Sequence, residues 1–428
     1  MKVVILDGFV DEPSNFGVPP FLSPYPRYLA GAVADAGHEW EYVTIEQVRR
    51  GHPIRGEVLA ILSGPIVPGK YLRGMPISEK EILAHAGDAV GVKVLGGPLA
   101  RFRYYDEDLV QPFDFVAIRD LDTAVYDYLT TGEFRNRDRT AEEWDRWAVL
   151  GADVITHHPD FPEPLILELD TSKGCVRYLN GGCSFCIEPM YGVPKFRPVE
   201  NVISEVRRLS ELGAVNFRLG GQADFFSYMA DGVGQSLTPR PNVAVLHRLL
   251  AGIREAAPNL KVLHTDNGDP AMIVAHPEEA MAGLRLLREY ATPGTILSFG
   301  LETADPAVTE ANNLNIDADG CLAAIRMVNE VGRDRGPNGM PWILPGLNFV
   351  TGLDGETPKT FELNLAFLKR VLEEDLWVRR INIRQVRPVR REFVPLENHH
   401  LFRKFKERVR AEIDHEMLQR VVPEGTVL

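Results

Sequence analysis

Thr171–Cys186 reads TSKGCVRYLNGGCSFC and holds three of the chain's four cysteines, Cys175, Cys183 and Cys186, in the pattern C-x7-C-x2-C. Directly before it stands Pro164–Asp170, PLILELD, a short apolar run that reads as a buried strand. Three thiolates on one loop at a strand end suit three irons of a [4Fe–4S] cluster, because cysteine sulfur ligates such clusters. The fourth iron would then lack a protein ligand and stay open to another molecule. Gly174, Gly181 and Gly182 support that reading. Without side chains, the backbone there can wrap closely and aim N–H groups at sulfur.

Competing readings remain. A disulfide leaves one of the three cysteines over, and the N-terminus, MKVVILDG, is too brief for an export signal. A zinc site normally takes four ligands, and the nearest additional candidates, His157 and His158, lie before the strand. Inert core thiols are the third alternative. Cys321 sits in the apolar stretch GCLAAIRMV and reads as a small buried hydrophobe outside the triad.

The strand at 164–169 begins a repeat of strand and helix. Further strands are expected at Val215–Leu219, Val262–Thr265, Ile296–Leu301, Leu347–Thr351 and Ile381–Gln385, with helices such as Val199–Leu212 and Val243–Ala257 between them. Six such units make a partial (β/α)6 TIM barrel over residues 164–392, where chemistry gathers at the C-terminal strand ends. Residues 1–135 alternate strand and helix as well, from Lys2–Leu6 and Tyr25–Gly37 onward. They predict a doubly wound parallel sheet whose loops SGPIVPG and GGPLAR follow strand ends. Residues 136–163 read as a charged, Pro-containing linker with one short helix. Residues 393–428 read as a helix and the start of a missing extension. The fold class is therefore α/β.

With 428 residues and 45% hydrophobic content the chain is long enough for two domains. A net charge of −13 argues against broad attraction to nucleic acid or an anionic membrane. No apolar stretch reaches the roughly 18 residues that span a bilayer. A cytoplasmic setting is expected, since a reduced compartment suits free thiolates.

The three cysteines after the first barrel strand, with Phe185 just before the last, resemble the radical S-adenosylmethionine (SAM) superfamily, in a minority form with a lengthened first gap. Other strand ends carry similar phrases. Arg218–Asp224, RLGGQAD, resembles the family's G-G-E motif, with Gln222 in place of the glutamate. Ser298–Glu302, SFGLE, resembles its G-x-E phrase, and Phe349–Thr357, FVTGLDGET, its fifth-strand run with Asp354 in place of proline. One phrase per strand end, in order, makes the resemblance consistent across levels. The first 135 residues resemble the cobalamin-binding domain found before many such barrels, especially YLAGAVADAGHEW, although the D-x-H-x-x-G motif is absent and His38 does not fit it.

The resemblance implies that Cys175, Cys183 and Cys186 hold a [4Fe–4S] cluster. It also implies that Gly220, Gly221, Gln222 and Glu302 contact SAM, which binds the open iron through its amino and carboxylate groups. Reductive cleavage would give methionine and a 5′-deoxyadenosyl radical that acts on a substrate the sequence does not name. An electron donor such as ferredoxin or flavodoxin is implied, and no membrane. Cobalamin remains an open second cofactor, and RNA an open substrate class. The related methylthiotransferases usually carry a second cluster on front-domain cysteines, and this front region has none. Cobalamin-assisted methyl transfer is the leading alternative, and a non-catalytic electron-transfer protein the alternative of another class. Arg384, Arg387 and Arg390 would meet an anionic substrate or SAM's carboxylate, or else form a solvated edge.

Overall fold

The computed structural model describes residues 1–8, 21–64, 75–103, 106–386, 390, 391, 393, 399–423 and 426. Most of the loop SGPIVPG, and Arg387, lie outside the described residues. The chain divides into two compact units. One comprises Met1–Leu169, Glu200–Phe217 and Ala256–Leu260, and the other Asp170–Val199, Arg218–Glu255 and Lys261–Leu428.

The first unit is built on a five-stranded sheet. Its strands are β1 (Lys2–Gly8), β2 (Glu39–Thr44), β3 (Val58–Ser63), β4 (Val92–Gly96) and β5 (Phe115–Val116), in the spatial order β2-β1-β3-β4-β5 with every pair parallel. This is the doubly wound order whose direction reverses between β1 and β3. All six residues of β3, VLAILS, are buried, as a strand covered on both faces requires. Helix α1 (Tyr25–Asp35) follows Pro24, and Pro26 stands in its first turn, where the missing N–H costs nothing. Helix α2 (Glu79–Asp88) opens with a reciprocal Ser78–Glu81 capping box, and α3 (Ala141–Leu150) with Thr140–Glu143. In this unit Arg27 of α1 donates from Nε to Glu205 at 2.9 Å, and both side chains are fully buried. His157 and His158 are not idle linker residues, because their rings pack against Trp40 and Tyr42.

The second repeat runs β6 (Ile166–Asp170), α4 (Val199–Glu211), β7 (Asn216–Gly220), α5 (Val243–Ala256), β8 (Val262–Thr265), α6 (Pro277–Tyr290), β9 (Thr295–Glu302), α7 (Ala318–Gly332), β10 (Ile343–Thr351), α8 (Pro358–Glu373) and β11 (Arg380–Gln385). Strands β8, β7 and β6 are neighbours in one sheet and β9, β10 and β11 in another, and the Asn267–Ser298 bridge joins β8's exit to β9. The six strands thus follow in chain order, as a (β/α)6 succession requires. The division between units passes along β6 and β7, whose last residues belong to the second unit.

The C-terminal region forms a helix from His399, passes through a π-helical turn at Arg410–Asp414 and continues to Val421. Its buried residues are Phe405, Val409, Ile413, Met417 and Val421, each four positions apart. A helix of 3.6 residues per turn would rotate such a stripe off the core. The wider π turn takes up part of that drift. Phe405 packs edge-on against Phe349 and Phe361, and the Val378 N–H donates to Met417 Sδ at 3.1 Å. This stripe, not its basic face, decides where the helix lies.

Candidate functional site

The cysteine loop leaves the end of β6. Ser172–Lys173 pairs antiparallel with Lys195–Phe196, which closes the loop at its base. Between Cys175 and Cys183 the extra residues form a 3-10 turn, Val176–Asn180, that ends at Gly181 in the left-handed region. Gly182 also has positive φ, and a Cβ there would stand 2.1 Å from Pro189 Cγ. Only glycine fits that position. The Cys186 N–H then donates to Cys183 O at 3.1 Å, which closes a tight turn between the two cysteines.

The three thiols lie within one another's electrostatic reach. Burial pushes Cys175, Cys183 and Cys186 each up to about 12. Cys175 feels Cys183, Cys183 feels Cys186, and Cys186 feels Cys175, and each neighbour raises the next further. Such a set stays protonated at neutral pH unless a cationic centre draws the protons off. Among the described residues no three His, Cys, Asp or Glu side chains gather around a single metal position. A cluster asks for something else, because each thiolate takes its own iron.

The sequence did not single out Arg177 or Ser184, two of the residues that tie the loop down. Arg177, buried within the lengthened gap, donates from Nη1 to Cys183 Sγ at 3.0 Å and from Nη2 to the Asn313 backbone carbonyl at 2.6 Å. Asn313, in the left-handed region at φ 50°, donates to the carbonyls of Asn180 and Gly182 at 3.1 and 2.8 Å. Ser184 bonds Asn312 through both backbone and side chain. Arg390 donates to the carbonyls of Gly181 and Cys183 at 2.7 and 2.8 Å, so it braces this loop and is no solvated edge. Asp354 takes an N–H of Asn312 on its carbonyl at 2.9 Å and pairs with Arg391.

The remaining expected site residues stand at the ends of β7 and β9. Gly220 closes β7, and Gly221 follows with φ 66°. Gln222 is buried: its side-chain oxygen accepts from the Thr171 hydroxyl, and its backbone carbonyl accepts from Asn267 Nδ2 at 2.8 Å. Its Nε2 is buried without a partner among the described residues. Glu302 ends β9 after a register shift that begins at Gly300, and its φ is 64°. A bulge of this kind re-aims a side chain beside a site. Burial holds Glu302 up to about 8, with Arg384 pulling the other way, and its Oε2 also lacks a partner. Glu302 raises the pKa of Cys183 and Cys186, which places it in their field. An unpartnered amide N–H and a protonated carboxyl at the ends of β7 and β9 are the donors and acceptors a polar ligand would use.

Asp224, which closes the RLGGQAD phrase, accepts the N–H groups of Ser227 and Asp269 at 2.7 Å each. Burial and then Asp269 push its pKa up to about 7. Asp269 is gripped by Asn315 Nδ2 at 2.7 and 2.8 Å. The two carboxyls form one buried acidic pair beside the cysteine loop. Cys321 is buried in α7, outside the triangle.

Residues 169–368 match the family profile described as the radical SAM superfamily. An uncharacterised protein of Methanocaldococcus jannaschii is 40% identical over 455 aligned positions, covering 100% of this chain and 83% of that protein. An uncharacterised protein of Archaeoglobus fulgidus is 40% identical over 442 positions, covering 99% and 80%. Among solved structures, the radical S-adenosylmethionine methyltransferase TsrM of Kitasatospora setae aligns with a TM-score of 0.60 at 14% identity, over 90% of this chain and 72% of that one. The cobalamin-dependent S-adenosylmethionine radical enzyme OxsB aligns with a TM-score of 0.55 at 12% identity, over 98% and 56%. At such identities the likeness is one of fold. No helix among the described residues is long and apolar enough to cross a membrane. With the thiol triangle at the first strand end and the family match running from that strand onward, the chain belongs to the radical SAM superfamily of enzymes.

Proposed function

We propose that Cys175, Cys183 and Cys186 hold three irons of a [4Fe–4S] cluster, and that Gly220, Gly221, Gln222 and Glu302 form the surface that receives SAM. The observation that carries this reading is the gathering of three half-buried cysteines on one loop at the end of β6, where each thiol raises another and a cationic partner is needed to make them thiolates. When bound and reduced, such a cluster supplies one electron to the SAM sulfonium, which yields methionine and a 5′-deoxyadenosyl radical able to take hydrogen from a substrate. The chain's own part is orientation and enclosure. The Gly220–Gly221 backbone leaves room for close approach. Gln222 Nε2 offers a hydrogen, and Glu302 offers an O–H at neutral pH and an acceptor oxygen. Arg177 and Asn313 hold the loop in one shape. A low-potential donor such as ferredoxin or flavodoxin would supply the electron.

A second reading, cobalamin-assisted methyl transfer, is favoured by one observation. The likeness to TsrM and OxsB extends over nine tenths or more of the chain, so it takes in the front sheet as well as the barrel. TsrM has been solved with cobalamin and a [4Fe–4S] cluster bound. The loops after β1 and β3, where a sheet of this order binds ligands, fall largely outside the described residues. His38 lies between α1 and β2, and its Nδ1 contacts the N-terminal amine at 3.1 Å. Anaerobic purification followed by SAM addition under reductant tests both readings. 5′-Deoxyadenosine with a perturbed cluster spectrum supports the first, and co-purified corrinoid with S-adenosylhomocysteine supports the second. An unchanged spectrum with neither product removes both.

A further inference from the structure

Exposed large apolar side chains on this molecule gather in one place. Among the described residues nine stand exposed, and five of them, Leu179, Met190, Val193, Met229 and Leu237, fall within two segments of the second unit. The first three lie on the cysteine loop and the other two on the loop that follows β7. Met190 and Val193 are the most open of the five, at 61% and 57%. Single exposed apolar residues are ordinary, whereas a cluster of them marks a contact surface.

The two loops touch. The 3-10 turns Val176–Asn180 and Glu188–Tyr191 pack on each other. Gly174 lies against the end of the same loop, where a Cβ would stand 3.3 Å from Pro194 Cα. A Cβ on Gly234 of the neighbouring loop would be 3.3 Å from the Tyr178 hydroxyl oxygen. Tyr228 donates its hydroxyl to the Arg197 carbonyl at 2.5 Å and meets Phe196 edge-on. The cysteine loop is also positive. Residues 171–198 carry Lys173, Arg177, Lys195 and Arg197 against the one carboxylate Glu188, in a chain of net charge −13. Lys195 is exposed and stands two residues from Val193. Arg390 bonds the carbonyl of Gly181, two residues from Leu179, and that of Cys183, and among the described residues it pairs with no carboxylate.

An apolar centre with a charged rim is the make-up of a protein interface in which Met is enriched at the centre and charge steers the encounter. The loop also names the occupant, because it bears the cysteines, and a protein too large to enter the site delivers an electron through the segment that covers it. Electron-transfer encounters of this kind are small and weak, below about 1,200 Å². We propose that Leu179, Met190 and Val193, with Lys195 and Arg390 beside them, form the docking surface for an acidic electron-carrier protein. The proposal rests on the cluster reading under Proposed function and gives its electron donor a place. One electron is exchanged: the carrier's centre is oxidised by one electron, the cluster is reduced by one, and no atom is transferred.

Full-length, anaerobically reconstituted protein is titrated calorimetrically with oxidised ferredoxin of acidic surface, at low and at raised ionic strength. Saturable binding that weakens with salt is expected. Met190→Glu sets a negative charge at the centre of the patch and should weaken ferredoxin at least about tenfold, and Val193→Glu should do the same. Met190→Lys, which loses the apolar contact and gains a favourable charge, should stay within about threefold of the wild type. Leu150→Glu, at the exposed end of α3 in the first unit, should stay within about twofold. In stopped-flow mixing, the rate of cluster reduction by reduced ferredoxin, divided by that with dithionite, should fall in the same order. Absence of binding, equal losses in Met190→Glu and Met190→Lys, or a comparable loss in Leu150→Glu each overturns the proposal. A dimer in sedimentation that Met190→Glu dissociates gives the surface to a second copy of this chain and also overturns it. Ferredoxin binding through Met190 in a protein that takes up no cluster would remove the cluster reading alone, and SAM cleavage with dithionite in a protein that ignores ferredoxin would remove the docking surface alone.

Discussion

Two buried arginine sites in this molecule are built on opposite principles. In the first unit Arg27 donates from Nε to Glu205 at 2.9 Å and from Nη2 to the Glu168 carbonyl, and the Arg27 and Glu205 side chains are fully buried. In the second unit Arg218 and Arg380 both reach Asp266, at 2.6 and 3.4 Å, and Arg379 stands beside Arg380, its guanidinium pushed down by burial and then by that neighbour. The first is an ion pair sealed from solvent. The second keeps some exposure at Arg218, Arg380 and Asp266 alike. Their sheets differ in the same way. Strand β3 is buried along its whole length, whereas β11, RINIRQ, alternates Arg380, Asn382 and Arg384 with isoleucine. A strand covered on both faces is a core element, and one that alternates presents a polar face with a task.

The largest expected effect lies at the thiol triangle. Cys183→Ala leaves two thiols and should abolish iron and sulfide incorporation, read by chemical analysis of reconstituted protein. Full iron content in that variant would remove the ligand assignment. The first unit should respond in the opposite manner. Arg27→Met removes the buried cation that pairs with Glu205 and should cost about 3–5 kcal/mol of stability, measured by urea unfolding. Iron content of the folded fraction should stay normal. Arg380→Gln should cost far less than Arg27→Met, because it relieves repulsion at Arg379. Equal losses would show that the second arginine cluster is as structural as the first.

These contrasts mark what the sequence made legible. The cysteine spacing exposed the loop, and its glycines told where the backbone turns. The third barrel strand, Val262–Thr265, falls where the β-branched and apolar run predicts it. The last strand starts one residue earlier than its apolar pattern suggests, and that residue is Arg380. Its period-two polar partners, Asn382 and Arg384, carried a signal that a search for apolar runs passes over. Arg177 was invisible for another reason. It lies 136 residues from Asn313, and their hydrogen bond exists only once β6 and β9 bring their loops together. The five buried residues of the C-terminal helix were present at a spacing of four, which a 3.6-residue search scores poorly.

Arg177 allows a finer test. Arg177→Met removes the donor to Cys183 Sγ and leaves the three thiols in place. A cation hydrogen-bonded to a ligand sulfur favours the reduced, more negative cluster, and hydrogen bonds to sulfur are one of the known controls on potential. The midpoint potential should fall by tens of millivolts, since a differential of about 1 kcal/mol is roughly 40 mV for one electron. Redox titration followed by electron paramagnetic resonance reads this directly. An unchanged potential would make Arg177 a loop strap and nothing more.

The smallest effect concerns pH, and it separates the two units again. Glu356 follows β10 and accepts the Gly352 N–H at 2.9 Å. Burial raises it to about 7, against an ordinary value of 4.5, although the hydrogen bond pulls the other way. The folded state therefore holds this proton more tightly than the unfolded chain does. Its contribution to stability is full below about pH 4.5 and is lost as pH rises toward 7. The side chain is partly open to solvent, so the slope is shallow. Glu356→Gln keeps the acceptor oxygen for Gly352 and cannot ionise, so the urea midpoint of the second unit should become flatter between pH 5 and 7, as followed by hydrogen exchange at Gly352 and its neighbours. A slope identical to the wild type's would assign the titration elsewhere, with Asp224, raised to about 7 by burial beside Asp269, the next carboxyl to replace.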